Sequence, residues 1–289
     1  MLTESRQIPP ESSRNGLGLL CFLALSLAAS WVIWLSPFER PGSVYITFFK
    51  WRFDLPFAIV KLLIGNCIPG ILAILFCIFE GRQQFVQMLS TLVRWRVAPK
   101  WYVLALTLPF GIAWMSLAVM RFYFPMSHNV LPSPTRAMVD LVVTLPFGPL
   151  WGELAWRAYA LRRLQARYSE LTASLLLGIY WAVWLIPLLL LTHRPSGTRA
   201  QELLAAVITI LAWSVIYASL YNRSGQSLPV VILLEAAHVS AMDGVFSTVQ
   251  AGQFLFIWLA AAFTVFLAVI FGKRMASDSP LHRAELSPG

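Results

Sequence analysis

The chain has 289 residues, of which 58% are hydrophobic and only 12% charged, with a formal net charge of +9. Soluble domains carry about 25% charged residues, and the mean hydropathy here is +0.69, so a water-soluble globular protein is excluded. The basic balance is spread over short polar connections, with no basic-aromatic face of the kind that binds nucleic acid.

Apolar runs of about 20 residues, the length needed to cross a bilayer, fit eight times: 16–36, 55–79, 101–120, 138–161, 171–191, 200–221, 228–247 and 252–272. The expected fold is all-α, a polytopic membrane helix bundle of about eight transmembrane helices. Residues 1–15 and 273–289 read as polar tails flanking a single membrane-embedded domain, 16–272. The first run is too long for a signal-peptide core and is read as a retained helix. Cys21, Cys67 and Cys77 fall inside spans without metal-type spacing, as small apolar core residues do. Between the second and third spans, RQQFVQMLSTLVRWRVAPK (82–100) places Phe85, Met88, Leu89, Leu92 and Val93 at helical spacing. That pattern suits an amphipathic helix in the membrane interface.

The fourth span carries charges where a membrane helix should have none. It lies in LVVTLPFGPLWGELAWRAYALRRL, 141–164, with Glu153 and Arg157 four residues apart. A charge at that depth costs about 3 kcal/mol or more on insertion scales. Residues i and i+4 share a helix face, so the two can neutralise each other. Such a pair can simply pin helix packing, or it can belong to a site. The seventh span, LPVVILLEAAHVSAMDG, adds Glu235 and His238 at i and i+3. Counting about 1.5 Å per residue, Glu153 and Glu235 lie ~12 and ~10 Å from one end of the bundle, so they can meet at one level. Lys61 and Asp140 sit near helix ends and are expected to snorkel to the interface.

With the N-terminus inside, thirteen Lys and Arg residues fall on inner segments (Arg6, Arg14, Arg82, Arg94, Arg96, Lys100, Arg162, Arg163, Arg167, Arg223, Lys273, Arg274, Arg283). Seven fall outside (Arg40, Lys50, Arg52, Arg121, Arg136, Arg194, Arg199). The bias favours both termini in the cytoplasm. Reporter fusions at residues 1, 90 and 289 should therefore report inside and a fusion near Ser196 outside; an outside signal from residue 90 would reverse this topology.

Three segments carry a family resemblance. GPLWGELAWRAYALRRLQ (148–165) resembles a motif of two adjacent glutamates followed four residues on by an arginine. SLLLGIYWAVWLIPLLL (174–190) resembles one with an aromatic residue four before a histidine and a proline soon after. SLPVVILLEAAHVSA (227–241) resembles one with a histidine four before an asparagine or aspartate. RWRVAPKWYVLAL (94–106) resembles the approach to the third helix. Together, over about residues 80 to 245, they resemble the CAAX prenyl endopeptidase and bacteriocin-processing (CPBP, or Abi) family of intramembrane metalloproteases.

The resemblance implies a hydrolase in which a carboxylate and histidines activate water, with a divalent metal such as zinc as the family's cofactor. It also implies a multi-pass protein of the bacterial cytoplasmic membrane. This chain departs from the pattern. The first glutamate falls on Gly152, the two histidines on Leu185 and Glu235, and the asparagine on Val239, while the second glutamate and the arginine are Glu153 and Arg157. A general base contributes about 10²- to 10⁴-fold, and leucine and valine cannot supply, accept or ligate anything. No metal-ligand set is assigned.

Two readings follow. One is a catalytically impaired pseudoenzyme in the bilayer that binds hydrophobic or prenylated peptides or other membrane proteins, as in self-immunity to a bacteriocin-like peptide. The other is an active intramembrane endopeptidase with a rearranged site, using Glu153, Glu235 and His238 beside Arg157. A transporter would show polar residues along several helices and broken helices at the midplane, and this chain has few of either. The enzyme requires Glu153, Glu235 and His238 within about one water of each other, facing a wet cavity.

Overall fold

The computed structural model describes residues 10–36, 43–48, 51–123, 133–191 and 199–246. They form α1 (Pro10–Leu35), strands β1 (Ser43–Phe48) and β2 (Trp51–Pro56), α2 (Phe57–Glu80), α3 (Arg82–Leu92), α4 (Pro99–Tyr123), α5 (Pro134–Thr144) and α6 (Pro149–Glu153). A π-helical segment, Leu154–Leu161, follows, then α7 (Arg162–Gln165), α8 (Glu170–Leu191), α9 (Arg199–Arg223) and α10 (Leu228–Phe246). The architecture is a polytopic helical bundle, as the hydropathy pattern requires.

Among the described residues, four helices are long and apolar enough to cross a membrane: Gly16–Leu35, Ile59–Glu80, Pro99–Val119 and Glu170–Leu190. The bent pair Pro134–Thr144 and Pro149–Gln165, taken as one element, is long and apolar enough to make a fifth. α9 covers the predicted span 200–221, and α10 contributes a shorter apolar helix, Leu228–Met242. The predicted span 252–272, residues 1–9 and the whole predicted tail 273–289 lie outside the described residues, while 10–15, expected as part of a polar tail, begin α1. The outward faces are apolar, with Phe79 85% and Phe122 80% exposed, as expected where lipid tails are the solvent.

One element departs from the all-helical expectation. β1 and β2 form an antiparallel ribbon, from Ser43 opposite Pro56 to Phe48 opposite Trp51. Its sequences, SVYITF and WRFDLP, are rich in the β-branched and aromatic residues that favour strands. Hydropathy windows tuned to helices pass over so short a ribbon.

The bend in the fifth span has a local cause. LPFGP, 145–149, supplies two prolines and a glycine, and α5 and Pro149–Gln165 meet there at 50°. Each half restarts with its own signals. Ser133 caps α5 by accepting the Arg136 N–H (3.3 Å) just before Pro134, and Pro149 stands at the start of α6. Proline at the first helical position removes an N–H that would be unpaired anyway.

Without a hydrophobic drive between helices in lipid, packing depends on small residues and interhelical hydrogen bonds. Ala155, Ala158, Ala160, Ala218, Ala236 and Ala237 are fully buried at the helix crossings. Ser26 and Tyr180 share a hydrogen bond (2.7 Å), Ser30 donates to the Gly65 carbonyl (2.9 Å), Trp31 to the Trp184 carbonyl (3.0 Å) and Ser214 to the Ser174 carbonyl (2.8 Å). Each bond of this kind contributes about 0.6–1.7 kcal/mol. Gly70, next to the helix-interior Pro69, permits the approach that matters most for the site. A Cβ there would lie 2.6 Å from the Trp151 carbonyl oxygen, so α6 rests directly on the α2 backbone. The π segment then sits at the centre, touching α2, α3, α8, α9 and α10, with all eight of its residues buried.

Candidate functional site

Glu153 ends α6 and Arg157 lies in the π segment. The Arg157 Nη1 donates to Glu153 Oε1 at 3.0 Å, with the side chains 1% and 0% exposed. The pair anticipated from i, i+4 spacing is present and sealed inside the bundle. Aromatic rings from two neighbouring helices enclose the guanidinium: Tyr217 of α9 at 4.8 Å and Trp181 of α8 at 5.6 Å. Ring faces are negative, so they share in stabilising a desolvated cation.

Glu235 reaches the same point from α10. It stands at the level of Gly152 and Glu153, as the two depths along their helices predict. Glu235 Oε2 faces Gly152: a Cβ on that glycine would lie 3.7 Å from this oxygen and 3.6 Å from the Trp156 indole nitrogen. The missing side chain thus leaves its space on the polar side of the helix. Glu153 Oε2, Glu235 Oε2 and the Nε and Nη2 of Arg157 are buried without a hydrogen-bond partner among the described residues. Four such atoms in one cluster are unusual, because buried polar groups are nearly always paired.

His238 is held differently. Its ring stacks on Trp213 at 3.9 Å and 16°, and its Nδ1 shares a 2.7 Å hydrogen bond with the Tyr217 hydroxyl. Tyr217 also covers Arg157, so His238 joins the carboxyl pair by way of Tyr217 and Arg157. The structure therefore brings Glu153, Arg157 and Glu235 together and sets His238 to one side. Leu185 packs against the hydrophobic core, and Val239 is half-buried. Sequence reasoning missed Tyr217, Trp213, Trp181 and Trp156. The only signal was the stripe Trp213, Tyr217, Tyr221 at intervals of four on α9, which reads equally well as core.

The residues outside this cluster are as follows. Lys61, in the first turns of α2, donates from Nζ to the Ser36 carbonyl at 2.7 Å, and Asp140, in the middle of α5, pairs with Arg136 at 3.7 Å. Cys77 is buried in the core, but Cys21 is exposed on the outward face of α1. The expectation that all three thiols are core residues fails there, because a thiol is apolar enough to face lipid.

The donor set does not fit the divalent metal implied by the resemblance. Among the described residues there is no group of three His, Cys, Asp or Glu side chains placed to hold an ion. Leu185 and Val239 offer no ligand atom, Glu153 is bonded to Arg157, and the His238 Nδ1 is taken by Tyr217. No step is routed through a metal here.

Comparison with a family model covers the same region. Residues 134–241 match the family model for type II CAAX prenyl endopeptidases, Rce1-like. CAAX prenyl protease 2 of Methanococcus maripaludis is 34% identical over 88 residues, which are 30% of this chain. The match spans 29% of that relative's length, so its activity as a whole protein is not carried over with it. The helices that build the polar cluster lie within the stretch, from α5 into α10, by which this chain matches the Rce1-like CAAX prenyl endopeptidase family model.

Proposed function

We propose that this integral membrane protein is a binding protein on an intramembrane-peptidase scaffold, which holds hydrophobic or prenylated peptides, or other membrane proteins, without cutting them. Self-immunity against a bacteriocin-like peptide is one role of that kind. The observation that carries this reading is the state of the motif positions. Gly152, Leu185 and Val239 have no group that can take or give a proton, and Leu185 is packed into the core. Glu153 is fully buried and bonded to Arg157. A ligand of the right character has a place to lie. An apolar cavity of about 360 Å³ lies between α4, α5 and the end of α10, lined by Leu106, Phe110, Trp114, Met138 and Leu141. Small-molecule sites begin near 300 Å³ and are mostly apolar.

The test is a titration of purified protein with a fluorescent farnesylated CAAX peptide, followed by product analysis with and without chelator. Saturable binding with no cleavage above the protein-free background is the expected result. Binding should fall in Met138→Glu, which puts a charge on the cavity wall.

A second reading is favoured by one juxtaposition: Glu235 Oε2 faces Gly152, the residue before Glu153, so two carboxyls converge on one point of the bundle. Two neighbouring carboxyls can act as acid and base in one site. In that reading one of them activates water, and His238 assists through Tyr217. Cleavage that disappears in Glu153→Gln or Glu235→Gln would establish this rearranged endopeptidase and remove the binding-only reading.

A further inference from the structure

The corner between α2 and α4 carries a surface that the carboxyl cluster does not use. The apolar stretch of α2 ends at Glu80 and that of α4 begins at Pro99, so residues 81–98 run along one face of the membrane. Within them α3 has two apolar faces. Phe85, Met88 and Leu92 pack into or against the core. Val86, Leu89 and Val93, again at intervals of three and four, are exposed. A helix bordered by water places polar residues on its outer face. An outward apolar stripe on a helix that lies along the membrane belongs at the headgroup and acyl boundary.

The chain then enters α4 through a loop that is tied down at several points. Arg94 donates to the Gly225 carbonyl, and its own carbonyl accepts the Ser227 hydroxyl at 2.6 Å. The Trp95 carbonyl accepts the Tyr102 hydroxyl at 2.7 Å. So fixed, the loop presents Trp95, more than half exposed, with Arg96 over its ring at 4.8 Å, and Lys100 lies over Trp101 at 4.9 Å. Both cations are exposed, and the ion pairs among the described residues involve other arginines. The charge along this stretch has one sign. Residues 82–100 hold Arg82, Arg94, Arg96 and Lys100, and no Asp or Glu occurs between Glu80 and Asp140. Glu80 itself pairs with Arg163 and accepts the Tyr159 hydroxyl at 2.7 Å.

We propose that this corner is a docking surface for anionic phospholipid. The stripe of Val86, Leu89 and Val93 and the Trp95 ring sit at the acyl boundary, and Arg96 and Lys100 hold the phosphates of adjoining headgroups. Tryptophan and basic residues gather at that level of a bilayer, and each basic residue there favours anionic lipid by about fivefold. An acidic protein would match the charge but not the apolar stripe beside it, so lipid is the occupant that fits the whole surface.

The full chain is reconstituted in equimolar vesicles of phosphatidylcholine and phosphatidylglycerol, with bromine carried by the chains of one lipid or the other. Bromine quenches indole fluorescence on contact, and the Trp95 signal is the difference between the natural chain and Trp95→Phe. Brominated phosphatidylglycerol should quench that signal several-fold more strongly than brominated phosphatidylcholine. Arg96→Gln/Lys100→Gln should remove the preference, and Arg136→Gln, on α5, should leave it unchanged. If the double variant fails to fold, Ala98→Glu decides. Residue 98 is exposed and lies between the two cations in sequence, and a carboxylate there should remove the preference with both cations in place. Equal quenching by the two lipids would overturn the proposal, as would a preference that survives these substitutions. Quenching of Trp95 by acrylamide from the water, with none by either brominated lipid, would also overturn it and give the surface to an acidic partner protein.

Discussion

Replacing either Glu153 or Arg157 by alanine should cut the yield of folded protein in detergent severely. Among the described residues the two side chains are some of the most buried, and their 3.0 Å bond is the one ion pair with both partners at or below 1% exposure. Removing one partner leaves the other charge without a counterion in a medium with no water to solvate it. Breaking a buried pair in this way costs about 3–5 kcal/mol, against a total stability of about 5–15 kcal/mol for a typical domain. Arg157→Ala should be the worse of the two, because it also empties the space between Tyr217 and Trp181 and leaves two neighbouring carboxyls without the cation. The double change Glu153→Gln/Arg157→Met should be milder than either alanine variant, since it orphans no charge. Size-exclusion profiles and melting of the three variants check this. Near-normal yield and Tm for both single alanine variants would remove the structural role of the pair.

Some of this arrangement could be read from the chain because it obeys simple periodicities. The interval of four between Glu153 and Arg157 fixes their shared face. The distances of Glu153 and Glu235 from one end of the bundle put them at one level, where Glu235 faces Gly152 beside Glu153. His238 shows the limit of that reasoning. Three residues on a helix advance about 300°, so Glu235 and His238 diverge by about 60°. On a helix contacted by several neighbours, that angle is enough for Glu235 to face α6 while His238 faces Trp213 and Tyr217 of α9.

The partners were hidden for a different reason. The chain has 12 Trp, 8 Tyr and 19 Phe, so no aromatic stripe stands out from the background, and only the three-dimensional crossing singles out Tyr217. The π segment was equally silent. LAWRAYAL has an ordinary helical composition, and its wider turn becomes visible only in the backbone. Such segments are rare and appear often at functional sites. Here it begins at the residue after Glu153 and contains Arg157.

The substitution at position 235 provides the sharper division between a working pocket and a relic. At the two positions where the family resemblance implies histidine, this chain carries leucine at 185, packed against the core, and glutamate at 235, whose Oε2 faces Gly152 beside Glu153. A carboxyl buried at that depth is expensive unless it is satisfied, and its Oε2 has no partner among the described residues. If the site were mere packing, leucine would be the less costly residue at both positions. Glu235→Gln should keep a polar group beside Glu153 and change stability by less than about 1 kcal/mol. Glu235→Leu should leave the neighbouring buried polar atoms of Glu153 and Arg157 against an apolar side chain and destabilise the fold by about 3 kcal/mol, with weaker binding of the farnesylated peptide if the pocket and the apolar cavity serve one ligand. Melting of the two variants, read beside the peptide titration, makes the decision. A Glu235→Leu protein that melts higher than the natural one and binds peptide equally well would leave the carboxyl pair as a remnant of packing, with no part in function.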